Sequence, residues 1–230
     1  MWHIVTEALE RASRGEERPP VAVLDLDSTL IHTGARHRAI ACAFPDAQIA
    51  SIAAELPAEA FGWDVRDPLR ERGVPEGDLD LLLTFWTERF FHSDWLPHDQ
   101  PAAGAVAFTH RLRTAGVHLV YLTGRPEPTM GAGTRRSLPQ LGFPTGDGTE
   151  LHMKPSPRLA DDVFKRHALR TIAETGPVAL TFENEPAHAN AFLAAFPDAA
   201  HFLVGDVHDP RAPAPASAVH AIDDFLLLLP

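Results

Sequence analysis

The sequence predicts a doubly wound, Rossmann-like α/β fold with a smaller helical domain inserted into it, on three observations. Short, continuous apolar runs recur at 21–27 (VAVLDLD), 117–123 (VHLVYLT), 177–182 (PVALTF) and 201–204 (HFLV), with 150–153 (ELHM) a weaker one. Runs that are apolar at nearly every residue suit parallel strands covered on both faces. Helical patterns at 102–115, 161–175 and 186–196 lie between them, and strands alternating with helices imply a parallel sheet. Finally, about ninety residues separate the first run from the second, far more than a crossover needs.

The elements follow in order. Residues 3–14 place apolar groups at helical spacing until Gly15 to Pro20 stop them. After the first strand, helix-like segments at 35–43, 46–56 and 78–92 are punctuated by Pro and Gly at 57–77 and 95–104. This divides the chain into a core of 1–33 and 99–230 and a helical cap of 34–98, with 99–115 returning to the sheet. The segment 205–217 (GDVHDPRAPAPAS) reads as a proline-rich loop without assignable chemistry, and the closing FLLLLP as a docked terminal helix.

Composition narrows the class. With 230 residues, 45% apolar and 22% charged, the chain has the makings of a globular core, not of a disordered or fibrous protein. Twenty Lys+Arg against 31 Asp+Glu leave a formal charge of -11. That field repels phosphate backbones, so neither nucleic acid nor an anionic membrane is an expected partner. Cys42, the only cysteine, permits no intrachain disulfide and no thiolate zinc site, which suits a reducing cytoplasm. The N-terminal segment lacks the long apolar run of a signal peptide, and no stretch approaches the roughly 20 apolar residues of a membrane span.

The chemistry concentrates at the end of the first run. Ligands of open α/β sheets sit at the carboxyl ends of the strands. Asp25 and Asp27, at spacing i, i+2 on an extended chain, point the same way there, with Leu26 turned inward. Ser28, Thr29 and Leu30 form a tight loop after them. Two neighbouring carboxylates are costly unless a cation relieves them, and Mg²⁺, which prefers carboxylate oxygens, is the natural relief.

VAVLDLDSTL resembles the first motif of the haloacid dehalogenase-like (HAD) phosphohydrolase superfamily, an apolar strand followed by Asp-x-Asp. Three further segments are similar to later motifs, in the right order. In VYLTGRPE, Thr123 corresponds to the phosphate-binding hydroxyl, Gly124 lets backbone N–H groups approach an anion, and Arg125 would contact or orient substrate. The motif lysine is either Lys154, in a Lys-Pro context, or Lys165, in the Asp-x-x-x-Lys arrangement of polynucleotide 3′-phosphatases and acid-phosphatase-like members. The fourth motif departs from type: ALTFENEP puts Glu183 where an Asp is usual, with Glu185 as a second acid and Asn184 and Asn190 as neutral oxygen donors.

The resemblance implies a Mg²⁺-dependent phosphatase acting on a small phosphorylated metabolite. Asp25 would form an aspartyl-phosphate and Asp27 would act as acid and base. The metal would be held by the Asp25 carboxylate, the Asp27 carbonyl, Glu183 and, as a further acid, Glu185. Thr123, Lys165 or Lys154 and backbone amides would stabilise the phosphoryl oxygens. The acid at position 27 favours phosphoester hydrolysis over dehalogenation or pumping. Two other readings remain: a catalytically weak scaffold that binds phosphate or regulates, and a polynucleotide 3′-phosphatase. In the insertion, helical spacing assigns Phe85, Trp86, Phe90, Phe91 and Trp95 mostly to the cap's own core or seam, with one ring or His92 as a substrate contact. Arg36, His37 and Arg38 read as a solvated face near the hinge, with an anion contact as the alternative. His32 is a weaker candidate beside the first loop.

Overall fold

The computed structural model describes residues 1–229. After α1 (Trp2–Ala12), the chain enters β1 (Val21–Leu24), whose four residues are all fully buried. It leaves through β2 (Ile31–His32) into α2 (Gly34–Cys42), α3 (Ala47–Glu55), α4 (Asp67–Arg70) and α5 (Glu76–Phe90), and returns through β3 (Gln100–Pro101). The remainder alternates: α6 (Ala105–Thr114), β4 (His118–Pro126), α7 (Glu127–Gln140), β5 (Thr149–Lys154), α8 (Asp161–Thr175), β6 (Val178–Glu183), α9 (Pro186–Ala195), β7 (Ala200–Val204) and β8 (Val219–Ile222).

Six strands form one parallel sheet in the order β5-β4-β1-β6-β7-β8. From β1 the chain winds outward to β4 and β5, then crosses back to β6 on the other side of β1 and winds outward again. The winding reverses around β1, so the carboxyl ends of β4, β1 and β6 open side by side onto one crevice. One face of the sheet packs Leu24, Phe108, Phe182, Phe202 and Phe225 into the main core; the other covers Val23, Leu122 and Phe192 beneath α8 and α9. Residues between β2 and β3 pack around a separate hydrophobic cluster that includes Ile49, Ala53, Phe61, Leu69, Leu79 and Leu82. Asp46 starts α3 by accepting hydrogen bonds from the amides of Gln48 and Ile49, satisfying donors at the helix end that would otherwise lack partners. β2 and β3 pair antiparallel, Ile31 opposite Pro101 and His32 opposite Gln100, where the chain leaves and re-enters the core.

Some elements differ from the sequence reading. The first strand ends at Leu24, so Asp25 and Asp27 lie in the loop beyond it. ELHM belongs to a full edge strand, β5. β8 follows the proline-rich loop and was not expected: at the opposite edge, with only Ile222 buried, VHAI has no continuous apolar pattern. Residues 225–229 hold one turn of 3₁₀ helix, Leu226–Leu228, because Phe225, Leu228 and in part Leu229 pack on the core while Leu226 and Leu227 stay exposed. Pro230 lies outside the described residues. No helix among the described residues is long and apolar enough to cross a membrane.

Candidate active site

Asp25 follows β1, Thr123 sits near the end of β4, and Glu183 ends β6. The Asp25 amide donates to the Phe182 carbonyl at 3.0 Å, which fixes the loop against β6. Beyond it the chain turns sharply: Ser28 has φ 60°, and its N–H donates to the Ile31 carbonyl at 2.8 Å. That left-handed conformation costs a non-glycine residue about 1–2 kcal/mol. The turn brings Thr29 back onto Asp25, where its Oγ1 donates to Oδ2 at 3.0 Å.

Lys165 projects from the second turn of α8 between two carboxylates. Its Nζ lies 2.8 Å from Asp25 Oδ1 and 2.7 Å from Glu183 Oε2, all three groups being buried. Burial, then the charge of Glu183, pushes Asp25 up to about 7 against the pull of Lys165. Burial also works against the Glu183 anion, but Lys165 holds that carboxyl well below its ordinary range. Two acids thus share one ammonium, leaving the cluster one positive charge short. Lys154 sits elsewhere: its ammonium pairs with Asp161, the first residue of α8. Asp161 in turn packs against Gly124, where an added Cβ would lie 2.2 Å from its Oδ2. Gly124 is required for that close approach as well as for an open backbone.

Asp27 does not join Asp25. Its carboxylate faces two buried guanidiniums: Arg125 Nε and Nη2 at 2.7 Å each, and Arg36 Nη2 at 2.5 Å. A second buried acid, Asp99, completes the group, accepting from Arg36 Nε at 2.7 Å and Nη2 at 2.9 Å and from Arg125 Nη2 at 2.8 Å. Burial raises the proton affinity of Asp27, yet Arg125 and Arg36 overcome it and keep the carboxyl far below the usual range. The clamp favours the anion and so opposes the protonated state that an acid role for Asp27 would need. Arg125, expected on substrate, is committed to Asp27 and Asp99 and is 1% exposed. Arg36 and His37, expected as a solvated face, are buried, because α2 turns them toward the core while Arg38 bonds the carbonyls of Ala54 and Leu56.

The remaining candidates divide. Thr123 is buried on the cleft wall, its Oγ1 accepting from the Arg125 amide at 3.2 Å. Asn184 lies close by: its Oδ1 accepts from Thr29 at 3.3 Å, and its Nδ2 donates to the Val207 carbonyl at 2.7 Å. Glu185 lines the cleft, but its carboxylate accepts the Asp209 amide at 3.2 and 3.3 Å and so faces the proline-rich loop, not Asp25. Asn190 is tied to Ala214 and Ala216 of the same loop, away from the acids. His32 is exposed, beside the hinge.

A cleft of about 490 Å³ is lined by Asp25, Asp27, Thr123, Lys165, Glu183, Asn184 and Glu185 and, from the segment between β2 and β3, by His37, Trp63, Asp64, Arg66, Leu83, Trp86, Phe90 and Phe91. Of the expected rings, Phe85 packs on Phe44 and under Arg89, and Trp95 pairs with His98, both off the cleft. His92 is half exposed beside Asp94. Asp99, Trp63 and the Asp64–Arg66 pair are cleft or clamp residues that sequence reasoning missed. No local pattern marks them.

His37 accepts the indole N–H of Trp86 at Nδ1 (3.1 Å) and packs against Phe90, so its ring must be neutral. Burial, then Arg36, pushes it down to about 3. Because the folded value lies below the unfolded one, near 6.5, the stability from this ring is complete above pH 6.5 and lost as pH falls toward 3. Between pH 7.5 and 5 the wild type should lose about 2 kcal/mol more than His37→Phe, measured by urea denaturation. An equal loss would place the acid sensitivity elsewhere.

The donor set fits a hard divalent cation. Asp25 and Glu183 are buried and share the one Lys165 ammonium, with the Asn184 amide oxygen joined to Asp25 through Thr29. His188 lies beside Glu183, its Nδ1 3.7 Å from Oε1, but among the described residues no three His, Cys, Asp or Glu side chains form a set that could hold a metal by themselves. Neutral oxygens and water would complete the coordination.

No family model and no curated protein matches the chain. Solved structures do. The protein tyrosine kinase A of Mycobacterium tuberculosis aligns over 90% of this chain and 94% of its own, at 18% identity and a TM-score of 0.55. A class C acid phosphatase from Bacillus anthracis, with tungstate bound, aligns over 85% of this chain and 61% of its own (17% identity, TM-score 0.48). A hydrolase from Pseudomonas syringae aligns over 80% and 84% (14%, 0.42). What the first likeness shows is the fold: a Rossmann-like α/β core, the one implied by the motifs.

Proposed function

We propose that this chain is a phosphohydrolase of the HAD-like superfamily, hydrolysing a phosphate monoester of a small metabolite with Mg²⁺ through a phosphoryl-Asp25 intermediate. One observation carries the reading: Asp25 sits at the mouth of the crevice with Lys165 on one oxygen and Thr29 on the other, between Thr123 and Glu183 on the adjoining strands.

Each residue then has a definite task. An Asp25 oxygen attacks phosphorus, forming an O–P bond as the bond to the ester oxygen breaks. Lys165 and the Thr123 hydroxyl offset charge on the phosphoryl oxygens, and such electrostatic stabilisation supplies most of the acceleration in phosphoryl transfer. Water next cleaves the acyl phosphate, releasing inorganic phosphate and restoring Asp25. The clamp that keeps Asp27 anionic also makes it a weak base, so Arg36 and Arg125 must loosen for it to give a proton to the ester oxygen and then to take one from that water. Asp25, Glu183 and the Asn184 amide oxygen would hold Mg²⁺, which would supply further positive charge for the phosphoryl group. The lone cysteine agrees with a cytoplasmic setting.

The test is release of inorganic phosphate from p-nitrophenyl phosphate by the purified chain. Release should require Mg²⁺, cease with EDTA and return when Mg²⁺ is restored. No release from this ester or from a panel of phosphorylated metabolites, with any of several divalent ions, would overturn the reading.

A further inference from the structure

The wall that faces the reactive acids is made of rings. Trp86 and Phe90 stack with centroids 4.5 Å apart, and Phe91 stands edge-on to both, at 6.3 and 5.0 Å. Trp63 and Leu83 extend this wall along the cleft. Burial explains Trp86 and Leu83, which pack on the hydrophobic cluster between β2 and β3, and Phe90, which is buried against His37 and Arg36. It does not explain Trp63, 43% exposed, or Phe91, 37% exposed, which lie outside that cluster and open onto the cleft. Among the described residues, Trp63 has one aromatic or cationic neighbour, the Arg211 guanidinium, 6.0 Å from its ring centre, at the outer limit of a cation–π contact.

The polar groups of the same wall satisfy one another. Arg66 is held bidentate by Asp64, at 2.7 Å for the closest pair, and reaches Asp80 at 3.3 Å. The Nδ1 of His37 already accepts the Trp86 indole. Arg66 and His37 are therefore engaged and not free to receive a second phosphate, a carboxylate or the hydroxyls of a polyol; the unpartnered Nδ1 of the cleft, on His188, lies beside Glu183 at the phosphate end. A pocket recognises its ligand through the few polar groups it leaves free and the apolar surface it leaves uncovered. Here the uncovered surface is aromatic.

We infer that the ester carries an uncharged aromatic ring on the side away from phosphorus, and that Trp63 and Phe91 recognise it by stacking. This rests on the phosphohydrolase reading for the phosphate end, and the experiment separates the two. Non-hydrolysable phosphonates report binding without turnover. By titration calorimetry on the full chain with Mg²⁺, phenylphosphonate should bind about tenfold more tightly than methylphosphonate, the scale expected of one ring stack in a partly open site. Trp63→Ala should cut that ratio to about threefold or less, and Trp63→Phe should restore most of it. A ring preference without phosphate release from any ester would retain this inference and discard the phosphohydrolase. Turnover with equal affinity for the two phosphonates, a ratio unmoved by Trp63→Ala, or no binding of either phosphonate would overturn it.

Discussion

Asp25→Asn should abolish phosphate release, by at least ~10³-fold in kcat, while leaving the protein as stable as the wild type or more so. The first half follows from chemistry: an amide cannot accept phosphorus and be regenerated by water. The second half follows from the site's electrostatics. Asp25 is buried beside Glu183, and its raised pKa means that its anion is less comfortable folded than unfolded. A neutral isostere removes that repulsion, leaves Lys165 to Glu183 and keeps an acceptor for Thr29. Functional sites commonly hold such destabilising charges. Steady-state kinetics and thermal unfolding of the same preparation check both halves. A variant that retains ordinary turnover would remove Asp25 as nucleophile, and one that loses activity only by unfolding would remove the electrostatic account.

Asp99→Ala should cost roughly 3–5 kcal/mol, the largest stability loss expected from any single ion-pair change in this molecule. Its side chain is wholly buried and, among the described residues, is the only acid besides Asp27 that faces Arg36 and Arg125. Without it, two buried guanidiniums share one carboxylate. By contrast, breaking the exposed Arg135–Glu127 pair should cost under about 1 kcal/mol. The double variant Arg36→Met/Asp99→Leu should regain much of the loss, since Asp27 and Arg125 then remain as a balanced pair. Urea denaturation measures all three. A loss below about 1 kcal/mol for Asp99→Ala would show that the four charges do not act as a unit.

Much of this architecture can be read from local pattern. β1, β4, β6 and β7 are continuous apolar runs because both faces of the sheet are covered, and burial on both faces is what such runs encode. Asp25, Thr123 and Glu183 follow because each stands where an apolar run stops. Edge strand β8 escapes because exposure on one side breaks its pattern. Lys154 and Lys165 both lie near the same sheet edge, and only the direction of α8 puts the second on Asp25. Arg36 misleads because a charged residue on a short helix reads as solvated. The partner that buries it, Asp99, is 63 positions away, a pairing set by how the inserted helices dock and by nothing in the neighbouring letters.

The two-residue ladder between β2 and β3 brings both ends of the insertion to one doorway, reinforced where the Ala102 amide donates to the Leu30 carbonyl at 2.8 Å. Seen from the sheet, the whole segment is a tenant whose length never enters the register of the six strands. A replacement of another size, grafted at the same doorway, should leave the sheet's pairing untouched, since none of the six strands pairs with the insertion. What a newcomer must bring with it is a single guanidinium at Arg36's position, because the landlord's side keeps Asp27, Asp99 and Arg125 waiting for it.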